Sequence, residues 1–233
     1  MKKEYAEYLL KKTKEDYNKI AENFTRSREF IPEDIRNLGE YTIPGEKVLD
    51  LGCGNGRFYK VLRDKKVDYF GIDFSEELIK IAKNDYQKAK FRVTNVLNLP
   101  FPNNFFDKVY SISVLHQIPS REFRLQSLKE ARRVLKPEGL LILRVWNIFK
   151  RPNFYKLFFK YSILKIFLKS KLDFFDVFLP WKDSKGKIIL ERYYHCFSKK
   201  ELKKIVRAAG FEIKEIWGSG LGKRSNIYLT AEK

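Results

Sequence analysis

Short, continuous apolar runs alternate with amphipathic segments through the middle of the chain. The run Val48-Leu49-Asp50-Leu51 shows no apolar-polar alternation, which is typical of a strand buried on both faces of a parallel sheet. We predict further strands near 67–72, 90–93, 106–113 and 139–146, and helices near 57–64, 76–84 and 121–135. Strands that alternate with helices in this way indicate βαβ units and a doubly wound sheet.

The two ends of the chain extend this α/β pattern. Residues 3–24 are expected to form a long basic helix, and a helix at 199–208 with strands at 211–217 and 226–231 completes the sheet. The predicted fold class is therefore α/β, with a doubly wound, seven-stranded, mostly parallel sheet. We expect one domain over 1–233, divided into an N-terminal helical cap (1–40), a core (41–146), an insertion or lid (147–190) and a C-terminal helix with strands (191–233).

The insertion at 147–190 is basic and aromatic. Residues 150–171 contain seven Lys or Arg and no acid. On a straight helix, Lys156 and Lys160 would lie opposite Lys165 and Lys169, so we predict two short helices that meet near Ser162. Three interpretations stay open: a surface excursion with its own apolar cluster, a substrate lid, or a platform where aromatic rings stack on bases and lysines meet phosphates.

Composition limits the class of protein. The chain has 233 residues, 44% of them hydrophobic, and a formal net charge of +19. The charge favours an acidic partner, nucleic acid or an anionic membrane, over a merely basic surface. The only cysteines, Cys53 and Cys196, exclude a disulfide framework and a cysteine-rich zinc site, and we expect no metal. Without an apolar leader or an apolar window of 18 residues, we expect a cytoplasmic protein with no transmembrane segment.

A glycine-rich loop follows the first predicted strand. Residues Asp50 to Gly56 read G-x-G-x-G from Gly52, at the sheet edge where open α/β proteins bind ligands. Arg57 stands where a dinucleotide fingerprint requires glycine, which counts against NAD. Asp73 ends the second strand, at the spacing of an acid that accepts from ribose hydroxyls. Asp73 could instead be the N-cap of the following helix, but Ser75 is the better candidate for that cap.

The core resembles the class I S-adenosylmethionine-dependent methyltransferases. Five motifs occur in order: Val48 to Gly56, Gly71 to Ser75, Asn95-Val96 before Leu99-Pro100-Phe101, Phe106 to Val109, and Arg133 to Gly139. The resemblance implies S-adenosylmethionine as cofactor, with Asp50, Gly52, Cys53, Gly54 and Gly56 at its methionine end and Asp73 and Phe74 at its ribose. It places Asn95 and Val96 at the adenine, and Ser113 and His116 beside the cofactor. Asn95 stands where Asp is common, and its side-chain oxygen can still accept from an amine.

The flanking segments resemble the tRNA wobble-uridine carboxymethyl methyltransferases. The matching residues include Tyr17 to Ala21, Ser27-Arg28, Val145-Trp146, Pro180-Trp181, Arg192-Tyr193-Tyr194-His195 and Arg224-Ser225-Asn226. This resemblance implies methylation of the carboxylate of 5-carboxymethyluridine in the tRNA anticodon. It also implies a small zinc-binding activator subunit as a partner. The chain departs from the family at Gln117, Phe123, Ile227 and the insertion, which leaves the nucleoside open.

The proposed chemistry needs positioning rather than a general base. A carboxylate acceptor is already anionic at neutral pH, so Arg28, Arg192, His195 or Arg224 need only orient it. We expect Tyr193 or Tyr194 to stack on the uracil, and Tyr17, Trp146 and Asn226 to complete the substrate site. Each assignment has an alternative. Tyr193 and Tyr194 could be alternating residues of a strand, with one of them buried. His116 could be a hydrogen-bonded wall residue beside the cofactor, and Trp146 and Trp181 could belong to the core.

Two other functions remain open at this point. The first is a small-molecule or quinone/lipid methyltransferase that touches a membrane surface through residues 150–171. The second is a non-catalytic RNA-binding module, which the intact Asp50, glycine loop and Asp73 disfavour.

Overall fold

The computed structural model describes residues 1–150, 152, 154–167, 170–183, 185–220 and 225–233, with the backbone alone described for 162–167. The strands are β1 Lys47–Leu51, β2 Asp68–Asp73, β3 Lys90–Val93, β4 Phe106–Ile112, β5 Leu135–Trp146, β6 Asp176–Lys182, β7 Ile188–His195, β8 Glu212–Ser219 and β9 Asn226–Glu232. The helices are α1 Lys3–Arg26, α2 Glu33–Arg36, α3 Tyr59–Leu62, α4 Glu76–Asp85, α5 Arg121–Val134, α6 Phe154–Phe167 and α7 Lys199–Ala208.

Seven strands form the main sheet in the order β3-β2-β1-β4-β5-β9-β8. The pairs from β3 to β5 are parallel, whereas β9 runs antiparallel to both β5 and β8. The predicted doubly wound, mostly parallel sheet is therefore confirmed. Strand order reverses between β1 and β4, and ligands of open α/β sheets bind outside the carboxyl ends at such a point.

Helices cover both faces of the sheet because its central strands are apolar on both sides. Leu141 and Leu143 of β5 pack in one core cluster with Leu128 of α5 and Val206 of α7. Ile142, between them, packs in a second cluster that contains residues of α3 and α4. The alternation of β5 between the two clusters follows from the two-residue repeat of a strand.

Serine caps fix where three helices begin. Ser75 accepts from the Leu78 amide at the start of α4, as the sequence predicts. Ser120 and Ser198 accept in the same way at the starts of α5 and α7. Ser75 and Ser120 follow the loops after β2 and β4, so these two caps hold those loops at the carboxyl ends of the strands.

The insertion contains one continuous helix, so the prediction of two short helices that meet near Ser162 is wrong. No glycine or proline interrupts 154–167. The inner side of α6, with Phe154, Leu157 and Phe158, packs against Ile148 and Val177. This contact holds the helix straight although its lysines are spread around it. The side chains of Lys165 and Lys169 lie outside the described residues.

An antiparallel hairpin, β6–β7, forms a separate two-stranded sheet that the sequence did not predict. The strand β7 runs across the expected boundary between 190 and 191. One part of the hairpin, Trp181, Ile189 and Leu190, packs against α1, and Val177 packs with α6. The hairpin therefore joins the N-terminal cap to the insertion.

Among the described helices, none combines the length and apolarity needed to cross a bilayer.

Candidate active site

A cavity of about 850 Å³ opens at the carboxyl ends of β1, β2, β4 and β5. This volume is typical of a small-molecule site. Many residues that the sequence predicted line it: Tyr17, Arg28, Asp50, Gly52, Cys53, Gly54, Asp73, Phe74, Asn95, Val96, Ser113, Trp146, Arg192 and Asn226. The fold thus brings the glycine loop together with residues from both ends of the chain.

The glycine loop is held tightly against β2. The amides of Gly52 and Cys53 both donate to the Ile72 carbonyl, at 2.8 and 2.9 Å. Gly52 has a φ of +78°, and a Cβ there would lie 2.3 Å from Val114 Cγ2. Only glycine satisfies both conditions, so backbone lines this part of the cavity.

Asp73 is buried and organises the loop. Its Oδ2 accepts from the Gly54 amide at 2.9 Å, and its Oδ1 accepts from the Ser75 amide at 3.0 Å. Burial raises the pKa of Asp73, while these hydrogen bonds act in the opposite direction. A carboxylate has about four acceptor positions. Asp73 therefore retains capacity to accept from hydroxyl groups of a ligand in the cavity.

Asp50 is another buried carboxylate at the cavity wall. It is 1% exposed, and its Oδ2 accepts from the Tyr69 hydroxyl at 2.6 Å. Burial raises its pKa to about 7, although the hydrogen bond from Tyr69 lowers it. A cationic ligand group beside Asp50 would favour the ionised form.

Asn95 and Ser113 mark two further walls of the cavity. Asn95 is exposed to solvent, and its Oδ1 accepts from the Leu97 amide at 3.0 Å. The second lone pair of that oxygen is available to a ligand amine. Ser113 has a φ of +66°, and its hydroxyl accepts from Arg144 Nη1.

Five arginines line the cavity: Arg28, Arg36, Arg57, Arg144 and Arg192. Arg144 forms an ion pair with Asp34, and Arg57 donates to the carbonyls of Arg28 and Phe30. Arg28 and Arg192 make no ion pair with any described carboxylate. Burial lowers the pKa of Arg28, and the nearby charges of Arg192 and Arg144 lower it further. An anion bound beside these guanidiniums would relieve that repulsion.

Of the five arginines that line the cavity, Arg192 is the least exposed. It is 5% exposed, and its Nη1 donates to the Tyr17 hydroxyl at 3.0 Å. Its guanidinium lies over the Trp181 ring at 4.5 Å and over the Tyr194 ring at 5.2 Å. Its Nε makes no hydrogen bond within the part of the chain that the structure describes. Aromatic rings hold the side chain while leaving donors for a ligand.

Sequence reasoning missed a hydrogen-bond network around Asp34. Asp34 Oδ2 accepts from Arg144 Nη2 at 3.1 Å, from Asn226 Nδ2 at 3.4 Å and from the Tyr228 hydroxyl. Asp34 and Arg144 are 110 residues apart, so no local motif joins them. The network ties α2 to the ends of β5 and β9 at the cavity wall.

Several predicted site residues lie elsewhere. His195 does not line the cavity: its Nδ1 lies 2.7 Å from Asp176 Oδ1 and its Nε2 lies 2.8 Å from Glu201 Oε1. The expectation that His195 orients the substrate is not met, because both ring nitrogens face carboxylates. Gly56 also lies outside the lining. Arg224 lies outside the described residues.

The two tyrosines of the Arg-Tyr-Tyr-His run are both buried, and neither lines the cavity. Tyr193 accepts from Arg124, whereas Tyr194 stacks on Trp146 with ring centroids 4.9 Å apart. His116 is fully buried and lies 5.2 Å from the Trp146 ring. Direct uracil stacking by either tyrosine therefore does not fit. Trp146, which stacks on Tyr194, does line the cavity.

Comparisons with known proteins agree with this geometry. A family model described as "Methyltransferase domain" matches residues 49–143. The tRNA (carboxymethyluridine(34)-5-O)-methyltransferase of Schizosaccharomyces pombe is 31% identical over 236 residues, which cover 93% of this chain and 94% of the relative. A solved S-adenosylmethionine-dependent methyltransferase of Methanosarcina mazei superposes with a TM-score of 0.72 at 25% identity, over 87% of this chain and 98% of its own.

Another relative, the probable tRNA methyltransferase 9B of Mus musculus, is 35% identical over 130 residues. These residues are 56% of this chain but only 28% of the mouse protein.

A glycine loop at the switch point, an acid at the end of β2 and the domain match define an S-adenosylmethionine-dependent methyltransferase. Because the S. pombe relative is matched along almost its whole length, the chain belongs to the family of tRNA methyltransferases that includes this enzyme.

The cavity fits the cofactor that this class uses. Asp73 has acceptor capacity for ribose hydroxyls, Asp50 provides a carboxylate for the ammonium, and the glycine backbone permits close approach. S-adenosylmethionine, when bound, supplies a methyl group on a sulfonium centre.

Replacing Asp73 tests the cofactor contact. We expect Asp73→Ala to weaken S-adenosylmethionine binding by ~1.5–3 kcal/mol, the range for hydrogen bonds to a charged group. Titration calorimetry measures the change, and Asp73→Asn, which keeps one acceptor oxygen, should lose less. Unchanged affinity in a folded Asp73→Ala protein would contradict the assignment.

The raised pKa of Asp50 leads us to expect that cofactor affinity depends on pH. With a pKa of about 7 in the free protein, Asp50 is largely protonated at pH 6 and ionised at pH 8. If the ionised form binds the cofactor ammonium, affinity falls about tenfold per pH unit below 7. Calorimetry between pH 6 and 8 should show this slope in the parent and a flat response in Asp50→Asn. Identical slopes in both proteins would exclude Asp50 as the group responsible.

Proposed function

We propose that this chain methylates the carboxylate of 5-carboxymethyluridine at the anticodon wobble position of tRNA. The observation that carries the proposal is the pair Arg28 and Arg192. Both guanidiniums line the cavity beside the cofactor loop, and neither forms an ion pair with a described carboxylate. An arginine binds a carboxylate through two parallel hydrogen bonds, which also fix its orientation.

The acceptor needs no deprotonation, because a carboxylate is ionised at neutral pH. The work of the protein is therefore to align an anionic oxygen with the methyl group. Arg192 is fixed by Tyr17 and by the Trp181 ring, so its free donors are already oriented before substrate arrives. Such preorganised positioning is a large source of rate acceleration.

The base would lie against Trp146. This ring lines the cavity and rests on Tyr194, and an aromatic ring is the usual partner of an unstacked base in RNA recognition. The printed activity of the S. pombe relative and the net charge of +19 support a tRNA substrate. The zinc-binding activator subunit stays a prediction from the family resemblance.

Purified protein should transfer a labelled methyl group to tRNA that carries 5-carboxymethyluridine. Mass spectrometry of the digested nucleosides would identify the product as a methyl ester, and mild alkali would release the label. The same tRNA without the carboxymethyl group is the matched control. Equal labelling of both tRNAs, or transfer only to a quinone or lipid acceptor, would refute the proposal. The reaction is run with and without a zinc-binding activator subunit, so that a requirement for that partner is not mistaken for inactivity.

A further inference from the structure

The outward side of α6 carries two aromatic rings and two ammonium groups. Tyr155 is 76% exposed and Phe159 is 61% exposed. Lys156 and Lys160 are exposed as well. Residues four apart lie on one side of a helix, so Tyr155 stacks above Phe159 and Lys156 above Lys160 in two adjacent rows. The helix thus presents rings and positive charges side by side.

The inner side of α6 packs against the rest of the protein. Phe154, Leu157 and Phe158 belong to the cluster around Ile148 and Val177. Tyr155 and Phe159 do not belong to this cluster. Residues 150–172 also contain no acid, so the lysines have no anionic neighbour on their own segment.

We propose that this outward side of α6 binds single-stranded RNA, with Tyr155 and Phe159 stacking on unpaired bases and Lys156 and Lys160 contacting phosphates. Alternating rings and cations are the components of such sites. A helix that lies on a membrane instead keeps its apolar face apart from its lysines, whereas here the two kinds of side chain share one side. The inference rests on the proposed function for the identity of the nucleic acid.

The position of α6 relative to the cavity supports this role. Its inner side packs in the same cluster as Trp146 and Tyr194, and Trp146 lines the cavity. Nucleotides next to one bound in the cavity would therefore pass close to α6. Anticodon loops are single-stranded and offer unstacked bases.

Fluorescence anisotropy with a labelled anticodon stem-loop RNA, without cofactor, tests the site. We expect Phe159→Ala to weaken binding by about tenfold, in the range for loss of one stacked base. The double variant Lys156→Ala/Lys160→Ala should flatten the slope of log K against log salt by about 1.4, because two phosphate contacts on a single strand are lost. All four side chains are exposed, so melting temperatures should stay at the parent's value.

Matched variants separate this site from general charge and from lipid binding. Lys200→Ala/Lys204→Ala removes the same charge from exposed positions of α7, which packs against α5 and β8, and should leave the salt slope unchanged. Phe159→Trp should keep RNA affinity, and Phe159→Leu should lose it. If Phe159→Leu binds RNA like the parent, and the α6 variants instead weaken binding of the protein to anionic vesicles, the outward side of α6 is a lipid site and the inference fails.

The outcome also distinguishes this inference from the proposed function. Parent protein that binds the stem-loop RNA with an affinity unaffected by all α6 variants overturns the role of α6 alone. Parent protein that binds no RNA at any salt concentration overturns both proposals. Loss of RNA affinity in the α6 variants with unchanged S-adenosylmethionine affinity is the expected result.

Discussion

Arg192→Ala should slow methyl transfer to carboxymethyluridine-containing tRNA, with a loss of ~2–4 kcal/mol of transition-state stabilisation. The affinity for S-adenosylmethionine should stay near the parent's. The reason is the enclosed position of Arg192, whose guanidinium is held by Tyr17 and Trp181 with its Nε unused by the described residues. Removing it leaves the acceptor carboxylate without its oriented partner. Single-turnover rates with saturating cofactor measure the loss directly.

Two further variants separate orientation from charge. Arg192→Lys keeps the positive charge but lacks the planar pair of donors, so it should recover only part of the rate. Tyr17→Phe keeps the guanidinium and removes the hydroxyl that fixes it, and should cause a smaller loss. If Arg192→Ala instead lowers the melting temperature and cofactor affinity together while the rate on tRNA is normal, Arg192 only braces the hairpin.

His195→Ala should destabilise the fold by ~3–5 kcal/mol, the usual cost of removing one partner from a buried ion pair. Its ring bridges Asp176, which is 1% exposed, and Glu201 of α7. Burial favours the neutral acid of Glu201, yet the hydrogen bond from His195 and its charge lower the pKa of this group.

Thermal unfolding followed by circular dichroism measures this effect, which corresponds to a decrease of roughly 6–20 °C in melting temperature. Glu201→Gln, which keeps an acceptor near the ring at a more exposed position, should lose much less. Methyl transfer by the folded fraction of His195→Ala should stay close to the parent's. If His195→Ala keeps the parent's melting temperature but loses methyl transfer, His195 acts on the substrate and not on the stability of the fold.

The contrast between Arg192 and His195 shows where sequence reasoning stops. The two residues belong to one run, and the resemblance assigned both to the substrate. Side chains along a strand point alternately to opposite faces, so Arg192 and Tyr194 share one side of β7 while Tyr193 and His195 share the other. The guanidinium of Arg192 accordingly lies over Tyr194, and His195 meets Asp176. A strand with one buried tyrosine is only the alternative interpretation of this run, so the alternation is not used to separate Arg192 from His195, and both tyrosines are buried.

The elements of the core were predictable because local signals and tertiary context agree. The predicted bounds 90–93 for β3 and 199–208 for α7 match the structure, and α7 begins at a serine cap. For the hairpin β6–β7, the local sequence and the structure disagree. Pro180 lies within β6, and a proline in a sequence argues against a strand. A two-stranded sheet has only edge strands, where proline is tolerated.

The cavity is completed by residues from both ends of the chain. Tyr17 of α1 meets Arg192 across 175 residues, and Asn226 meets Asp34 across 192 residues. During synthesis, the glycine loop is made early, but the lining of its cavity is complete only after Asn226 of β9 has been added. A ligand stabilises only the states that bind it. S-adenosylmethionine can therefore protect the finished protein against unfolding, while a nascent chain that ends before β9 lacks part of the cavity that binds it.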